Sequence, residues 1–78
     1  MDWRWTKHIF LQLKERKIQK DLVETALVSP DKIVKGQKNR VIYQKIISGK
    51  LLRVVTEGDS LITVYLTDKI TKYHEGGN

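Results

Sequence analysis

A histidine near the start of this 78-residue sequence, together with several cationic and hydroxyl side chains, suits phosphodiester chemistry. Cleaving RNA through its own 2′-hydroxyl needs a base for the hydroxyl proton, an acid for the leaving oxygen and cations beside the phosphorus. Histidine is the usual acid or base near neutral pH, arginine binds phosphate through paired hydrogen bonds, and aromatic rings stack on bases. The candidates are His8, Arg16, Tyr43, Lys45, Arg53, Thr63, Tyr65 and Thr67.

Other kinds of site lack a signature in this sequence. There is no cysteine, and His8 and His74 lie 66 positions apart without an acidic cluster, which argues against a zinc or calcium site. No glycine-rich phosphate loop and no serine nucleophile motif is present. We therefore expect neither a metal nor a cofactor. A lone helical histidine is also commonly an ordinary surface residue, and that alternative stays open for His8.

The basic charge of the chain is concentrated in one segment. The net charge is +6, from 15 Lys and Arg against 9 Asp and Glu. Residues 32–56 hold seven of these bases and no acid, and they add Arg40 and Lys50 to the candidate contacts. Such a charge favours a polyanionic partner, RNA above all. A solubilising surface that binds nothing is the alternative.

Length and hydropathy indicate one small domain over residues 1–73, followed by a flexible tail over 74–78. Residues 68–73 are expected either to extend the last strand or to fold over the sheet. The first five residues lack the apolar region of a signal peptide, and no apolar run approaches the roughly 20 residues that span a bilayer. We expect a cytoplasmic protein without a membrane partner.

Two helices are predicted to position the histidine. Thr6 is the expected N-cap of a helix over 7–16, in which Ile9, Phe10 and Leu13 form the buried stripe. Trp3 and Trp5 precede it, and one of them is expected to pack back as a hydrophobic staple, with stacking on bases as the alternative. A second helix is predicted over 20–28. Its expected buried residues are Leu22, Val23, Ala26 and Leu27.

Four strands are predicted to follow, over 31–35, 40–47, 50–56 and 60–67, because apolar and β-branched runs alternate with glycine-containing turns. The fold class is therefore α+β, with the order ααββββ and both helices packed on one face of a four-stranded antiparallel sheet. Alternation along the strands predicts a core face of Ile42, Ile46, Leu52, Val54, Ile62, Val64 and Leu66. It predicts an open basic face of Tyr43, Lys45, Arg53, Val55, Thr63, Tyr65 and Thr67.

Short motifs spread over most of the chain resemble a prokaryotic family catalogued as domain of unknown function 4258. They are His8, Glu15-Arg16-x-Ile18, Ser29-Pro30-Asp31-x-Ile33, Gly36, Lys50-x-Leu52-Arg53-Val54-Val55 and Thr63-Val64-Tyr65-x-Thr67-x-Lys69. The resemblance implies a relationship to the RelE/barnase-like ribonuclease fold of toxin–antitoxin systems, whose open sheet face binds RNA. It also implies roles for the helix histidine His8, the arginines Arg16 and Arg53, and the last-strand hydroxyls.

Two positions depart from the family pattern. The family often has arginine four residues after the histidine, where this chain has Gln12, and glycine after Arg16, where it has Lys17. The glutamine removes one potential phosphate ligand from the helix face. Its effect would fall on catalysis more than on fold or binding.

The leading functional prediction is a RelE-like, toxin-type endoribonuclease that works without metal on RNA, including ribosome-bound messenger. The predicted catalytic residues are His8, Arg53 and Tyr65, and the predicted RNA contacts are Arg16, Arg40, Tyr43, Lys45, Lys50, Thr63 and Thr67. The implied protein partner is an acidic antitoxin. The alternatives are a nucleic-acid-binding module without catalysis and a protein-interaction domain.

Overall fold

The computed structural model describes residues 2–68 of the chain. It contains helices α1 (Lys7–Arg16) and α2 (Lys20–Val28), then strands β1 (Lys32–Lys35), β2 (Arg40–Ile47), β3 (Lys50–Glu57) and β4 (Ser60–Thr67). All neighbouring strands are antiparallel, in the order β1-β2-β3-β4. The predicted ααββββ arrangement is confirmed. The expectations for the tail over 74–78 and for residues 69–73 lie outside the described residues.

Both ends of α1 are held by local contacts. The hydroxyl of Thr6 accepts the backbone N–H of Ile9 at 3.2 Å, which confirms Thr6 as the N-cap. The Trp5 ring stacks on Phe10 with centroids 5.9 Å apart, so Trp5 is the staple. Phe10 is nevertheless 46% exposed, which corrects its predicted place in the buried stripe. Lys17 ends the helix in the left-handed conformation. With its ends held, α1 presents a fixed face to the sheet.

The core lies between the two helices and one face of the sheet, where α1 packs on β4 and α2 packs on β2 and β3. The helices and their connection supply Ile9, Leu13, Ile18, Val23, Ala26 and Leu27, and the sheet supplies Leu52, Val54, Leu61 and Val64. Trp3, Trp5, Leu22, Tyr43, Ile47 and Leu66 pack around this cluster. Within residues 2–68, no helix has the length and hydropathy to cross a membrane.

The pairing of β2 with β3 corrects the predicted faces of β2. Tyr43 pairs with Val54 and Lys45 pairs with Leu52, so both side chains share the helix-covered face with these core residues. Ile42 pairs with Val55, on the opposite face. A shift of one residue in register exchanges every side chain between the two faces, and the alternation within β2 alone does not reveal which register is used.

A bulge corrects one assignment in β4. The register of β3 with β4 shifts between Val55 and Thr56, so that Val55 pairs with Thr63 whereas Thr56 pairs with Leu61. Leu61 therefore takes the core position predicted for Ile62 and is 1% exposed. An extra residue in one strand of a pair re-aims the side chains that follow it.

The face of the sheet away from the helices is not an open basic surface. Four central side chains on this face, namely Gln44, Leu51, Arg53 and Val55, are buried. Arg53 keeps only 7% of its surface exposed, and Gln44 and Leu51 keep none. Side chains with so little exposed area have little to offer an incoming phosphate. The expectation of an exposed row of bases across the middle of the sheet is therefore wrong.

Candidate nucleic-acid interface

Gln12 joins α1 to the outer edge of β4. Its amide oxygen accepts the backbone N–H of Val64 at 2.9 Å and the hydroxyl of Thr63 at 3.0 Å. Its amide nitrogen lies 2.9 Å from Nε2 of His8, one turn earlier on the helix. Gln12 is buried, and His8 is exposed. The glutamine therefore connects a surface histidine to a hydroxyl on the last strand.

Arg16, one turn after Gln12, contacts the same edge residue. Its guanidinium donates to the carbonyl oxygen of Val64 at 2.6 Å. His8, Gln12 and Arg16 are spaced four residues apart and share one helix face, as their spacing predicts. A guanidinium carries five N–H groups, so the bond to Val64 uses one of them. Arg16 is thereby oriented at the edge of β4 and retains donors for a ligand.

Arg53 and Tyr65 form a pair across β3 and β4. They are Cα partners in the antiparallel register, and the Arg53 guanidinium donates to the Tyr65 hydroxyl oxygen at 2.7 Å. The guanidinium carbon lies 5.7 Å from the centroid of the Tyr65 ring. Because the oxygen accepts from Arg53, its hydrogen is directed away from that guanidinium. Buried Arg53 thus orients Tyr65, which is half-buried.

A surface cleft of about 610 Å³ lies where these elements meet. Its walls are Arg16, Lys50, Thr63, Tyr65 and Leu66. Two cations from different elements therefore lie beside two hydroxyls, a combination that suits an anionic ligand with further hydrogen-bonding groups. We call this feature the β4-edge cleft. It contains four residues from the predicted set, whereas His8 and Arg53 connect to it through hydrogen bonds.

Other predicted contacts lie elsewhere in the fold. The Tyr43 ring packs edge-on against Trp3, with centroids 5.5 Å apart, and the Lys45 ammonium donates to the carbonyl of Ser29 at the end of α2 at 2.9 Å. Arg40 forms an ion pair with Glu57 at 3.5 Å. Glu57 and Lys50 are opposite ends of β3, roughly 23 Å apart at 3.3 Å per residue. Arg40 therefore belongs to the far end of the sheet.

Thr67 is half-buried and pairs with Leu51 across β3 and β4. It lies on the same face as Thr63 and Tyr65 by strand alternation, and it is not among the residues that line the cleft. Among residues 2–68, no three of the potential metal-ligating side chains are grouped so as to hold an ion.

Two contributors to this site have only a weak signal in the sequence. Gln12 is four residues from both His8 and Arg16, which marks its helix face but does not indicate that it bonds to β4. Leu66 lines the cleft although its residue type suggests only core packing. Both contributions depend on how closely α1 approaches the strand, and that distance is a property of the packed fold.

Comparison with known proteins identifies a family. No curated protein and no solved structure matches the chain at a significant level. A family model described as a domain of unknown function (DUF4258) matches residues 5–66, from Trp5 before α1 to Leu66 near the end of β4. The matched range covers α1, α2, the first three strands and most of β4. The chain therefore belongs to the DUF4258 family.

Proposed function

We propose that this protein binds RNA by holding the phosphate backbone in the β4-edge cleft. The observation that carries the proposal is the juxtaposition of Arg16 and Lys50 with the hydroxyls of Thr63 and Tyr65. Arginine provides directed donors for phosphate oxygens, and lysine provides a mobile point charge. The Tyr65 ring adds a surface on which a base can stack. The net charge of +6 supplies long-range attraction to the polyanion.

We further propose that the fold is related to the RelE/barnase-like ribonucleases and that the protein is of the toxin type. The ααββββ order with an antiparallel sheet supports this relationship, together with the motifs shared with the family. An acidic antitoxin is the corresponding protein partner, because a basic cleft is blocked most effectively by carboxylates. Such a partner would compete with RNA for Arg16 and Lys50.

Metal-independent RNA cleavage is a second candidate function, favoured by the Arg53–Tyr65 pair. In this reaction the 2′-oxygen attacks phosphorus, the bond from phosphorus to the 5′-oxygen breaks, and a 2′,3′-cyclic phosphate remains. Tyr65 is the candidate acid for the departing 5′-oxygen, because its hydroxyl oxygen accepts from Arg53 and its hydrogen is directed away from that guanidinium. His8 is the candidate base for the 2′-hydroxyl proton.

The contact between His8 and Gln12 favours RNA binding over RNA cleavage. Nε2 of His8 faces the Gln12 amide nitrogen at 2.9 Å, so the nitrogen that would accept a substrate proton is engaged. Binding through Arg16, Lys50, Thr63 and Tyr65 needs no change at His8.

Titration of a fluorescent single-stranded RNA with the native protein, at several salt concentrations, tests the proposal. We expect an affinity that falls with salt by a slope of about 0.7 for each phosphate contacted. The double variant Arg16→Ala/Lys50→Ala should lose at least tenfold in affinity, whereas Lys38→Ala, in the turn before β2, should lose less than twofold. Equal losses in both variants would refute the cleft as the binding site.

The same RNA incubated in EDTA tests the second candidate. Products ending in a cyclic phosphate, absent with His8→Ala, would establish cleavage and assign a role to His8. Binding without such products would leave the RNA-binding function alone.

A further inference from the structure

The orientation of the Gln12 side chain is decided by a backbone group. A backbone N–H can only donate, so the Gln12 atom that faces the Val64 nitrogen at 2.9 Å must be the amide oxygen. The same oxygen accepts the hydroxyl of Thr63 at 3.0 Å. The amide group therefore cannot rotate by half a turn without placing two donors against each other. Its nitrogen is held toward His8.

This orientation dictates which nitrogen of His8 carries the hydrogen. The Gln12 amide nitrogen can only donate, and it lies 2.9 Å from Nε2 of His8. In the neutral ring Nε2 must accept, and the hydrogen must then be on Nδ1. We infer that Gln12 is a positioning residue that selects the Nδ1–H tautomer of His8 and so presents it to RNA as a hydrogen-bond donor. The donation of a hydrogen bond to RNA rests on the proposed function, whereas the choice of tautomer does not.

In the Nδ1–H tautomer, His8 donates a hydrogen bond and does not act as a general base. Nε2 accepts from Gln12, so the hydrogen is on Nδ1 of an exposed side chain, where it suits a phosphate oxygen. In this tautomer His8 is a binding group, and Gln12 joins it to the Thr63 hydroxyl of the cleft.

A carboxylate at position 12 should reverse the arrangement. In Gln12→Glu, one oxygen retains the Val64 N–H, and the other accepts from the ring. The hydrogen of neutral His8 is then expected on Nε2, which leaves Nδ1 as an acceptor. Gln37→Glu makes the same chemical change in the exposed turn between β1 and β2 and is the matched control.

Long-range ¹H–¹⁵N correlation spectra of the ¹⁵N-labelled full chain, recorded at about pH 8, report the protonation of each ring nitrogen, since an ordinary histidine is neutral there. His8→Ala distinguishes the His8 signals from those of His74. We expect native His8 to show unprotonated Nε2 and protonated Nδ1, Gln37→Glu to match it, and Gln12→Glu to show the reverse.

If Gln12→Glu does not fold, Gln12→Met should show the two tautomers averaged. Two results would overturn the inference. The first is a native His8 that shows Nε2–H or averaged signals, and the second is a folded position-12 variant that shows the native pattern.

RNA titrations of the same proteins separate this inference from the proposed function. His8→Ala and Gln12→Glu should each bind RNA about threefold to tenfold more weakly than the native chain, whereas Gln37→Glu should not. The native tautomer with no RNA binding in any protein would refute the proposed function and leave the tautomer assignment standing. The native tautomer with unchanged binding in His8→Ala would refute the donor role alone.

Discussion

The amide oxygen of Gln12, in the middle of α1, accepts the backbone N–H of Val64, in the middle of β4, at 2.9 Å. Val64 lies in an edge strand, whose outward N–H and C=O groups would otherwise face solvent or another chain. The Arg16 guanidinium donates to the carbonyl oxygen of the same residue at 2.6 Å. Two helix side chains thus replace, at one residue, the hydrogen bonds that a fifth strand would make.

Replacing Gln12 by leucine should destabilise the fold. The substitution leaves the buried N–H of Val64 without its acceptor, which costs about 1–3 kcal/mol in the free energy of unfolding. Urea denaturation followed by circular dichroism measures this loss. Gln37→Leu, in an exposed turn, should change stability by less than about 0.5 kcal/mol. Equal stability of the two variants would contradict a structural role for Gln12.

Tyr65→Phe should destabilise the protein through Arg53. The substitution removes the oxygen that accepts from a largely buried guanidinium, and hydrogen bonds to charged groups contribute about 1.5–3 kcal/mol. Chemical denaturation provides the test. Tyr43→Phe is the control, because the Tyr43 ring is placed by packing against Trp3. A smaller loss of stability in Tyr65→Phe than in Tyr43→Phe would show that the hydrogen bond from Arg53 contributes little to the free energy of unfolding.

Two lysines predicted alike from the sequence should behave differently toward RNA. Lys50→Met should weaken binding about threefold to tenfold and lower the salt slope by about 0.7, because Lys50 lines the cleft. Lys45→Met should leave the affinity unchanged within twofold, because its ammonium bonds to the carbonyl of Ser29 on the helix side. Fluorescence titration at several salt concentrations measures both. A larger effect at Lys45 would place the binding surface elsewhere.

Gly49→Ala should cost about 1 kcal/mol of stability. Gly49 has a φ of +80° in the two-residue turn between β2 and β3. A residue with a Cβ atom adopts this left-handed backbone conformation only with strain. Gly36→Ala is the matched control, since a Cβ there would meet its neighbours at 3.5 Å or more. Thermal unfolding of both variants gives the comparison. A stable Gly49→Ala protein beside a destabilised Gly36→Ala protein would contradict the assigned turn geometry.

Local features of the sequence predicted the secondary structure well. The bounds of α1, α2, β2 and β4 agree with the predictions, because Thr6, Pro30 and the glycine-containing turns mark the ends of elements by local backbone chemistry. The helix face of His8, Gln12 and Arg16 also follows from spacing alone. Its hydrogen bonds to β4 do not, since they depend on contacts between residues about 50 positions apart.

The sequence by itself determined the ααββββ order, the family and the residue types available for an anionic ligand. The tertiary structure decided which of those residues meet. Strand register placed Tyr43 and Lys45 beneath the helices, and the bulge at Val55 and Thr56 put Leu61 into the core. The approach of α1 to β4 gave Gln12 its role. Register, bulges and helix docking arise from pairing and packing between distant segments, which the periodicity within one segment does not encode.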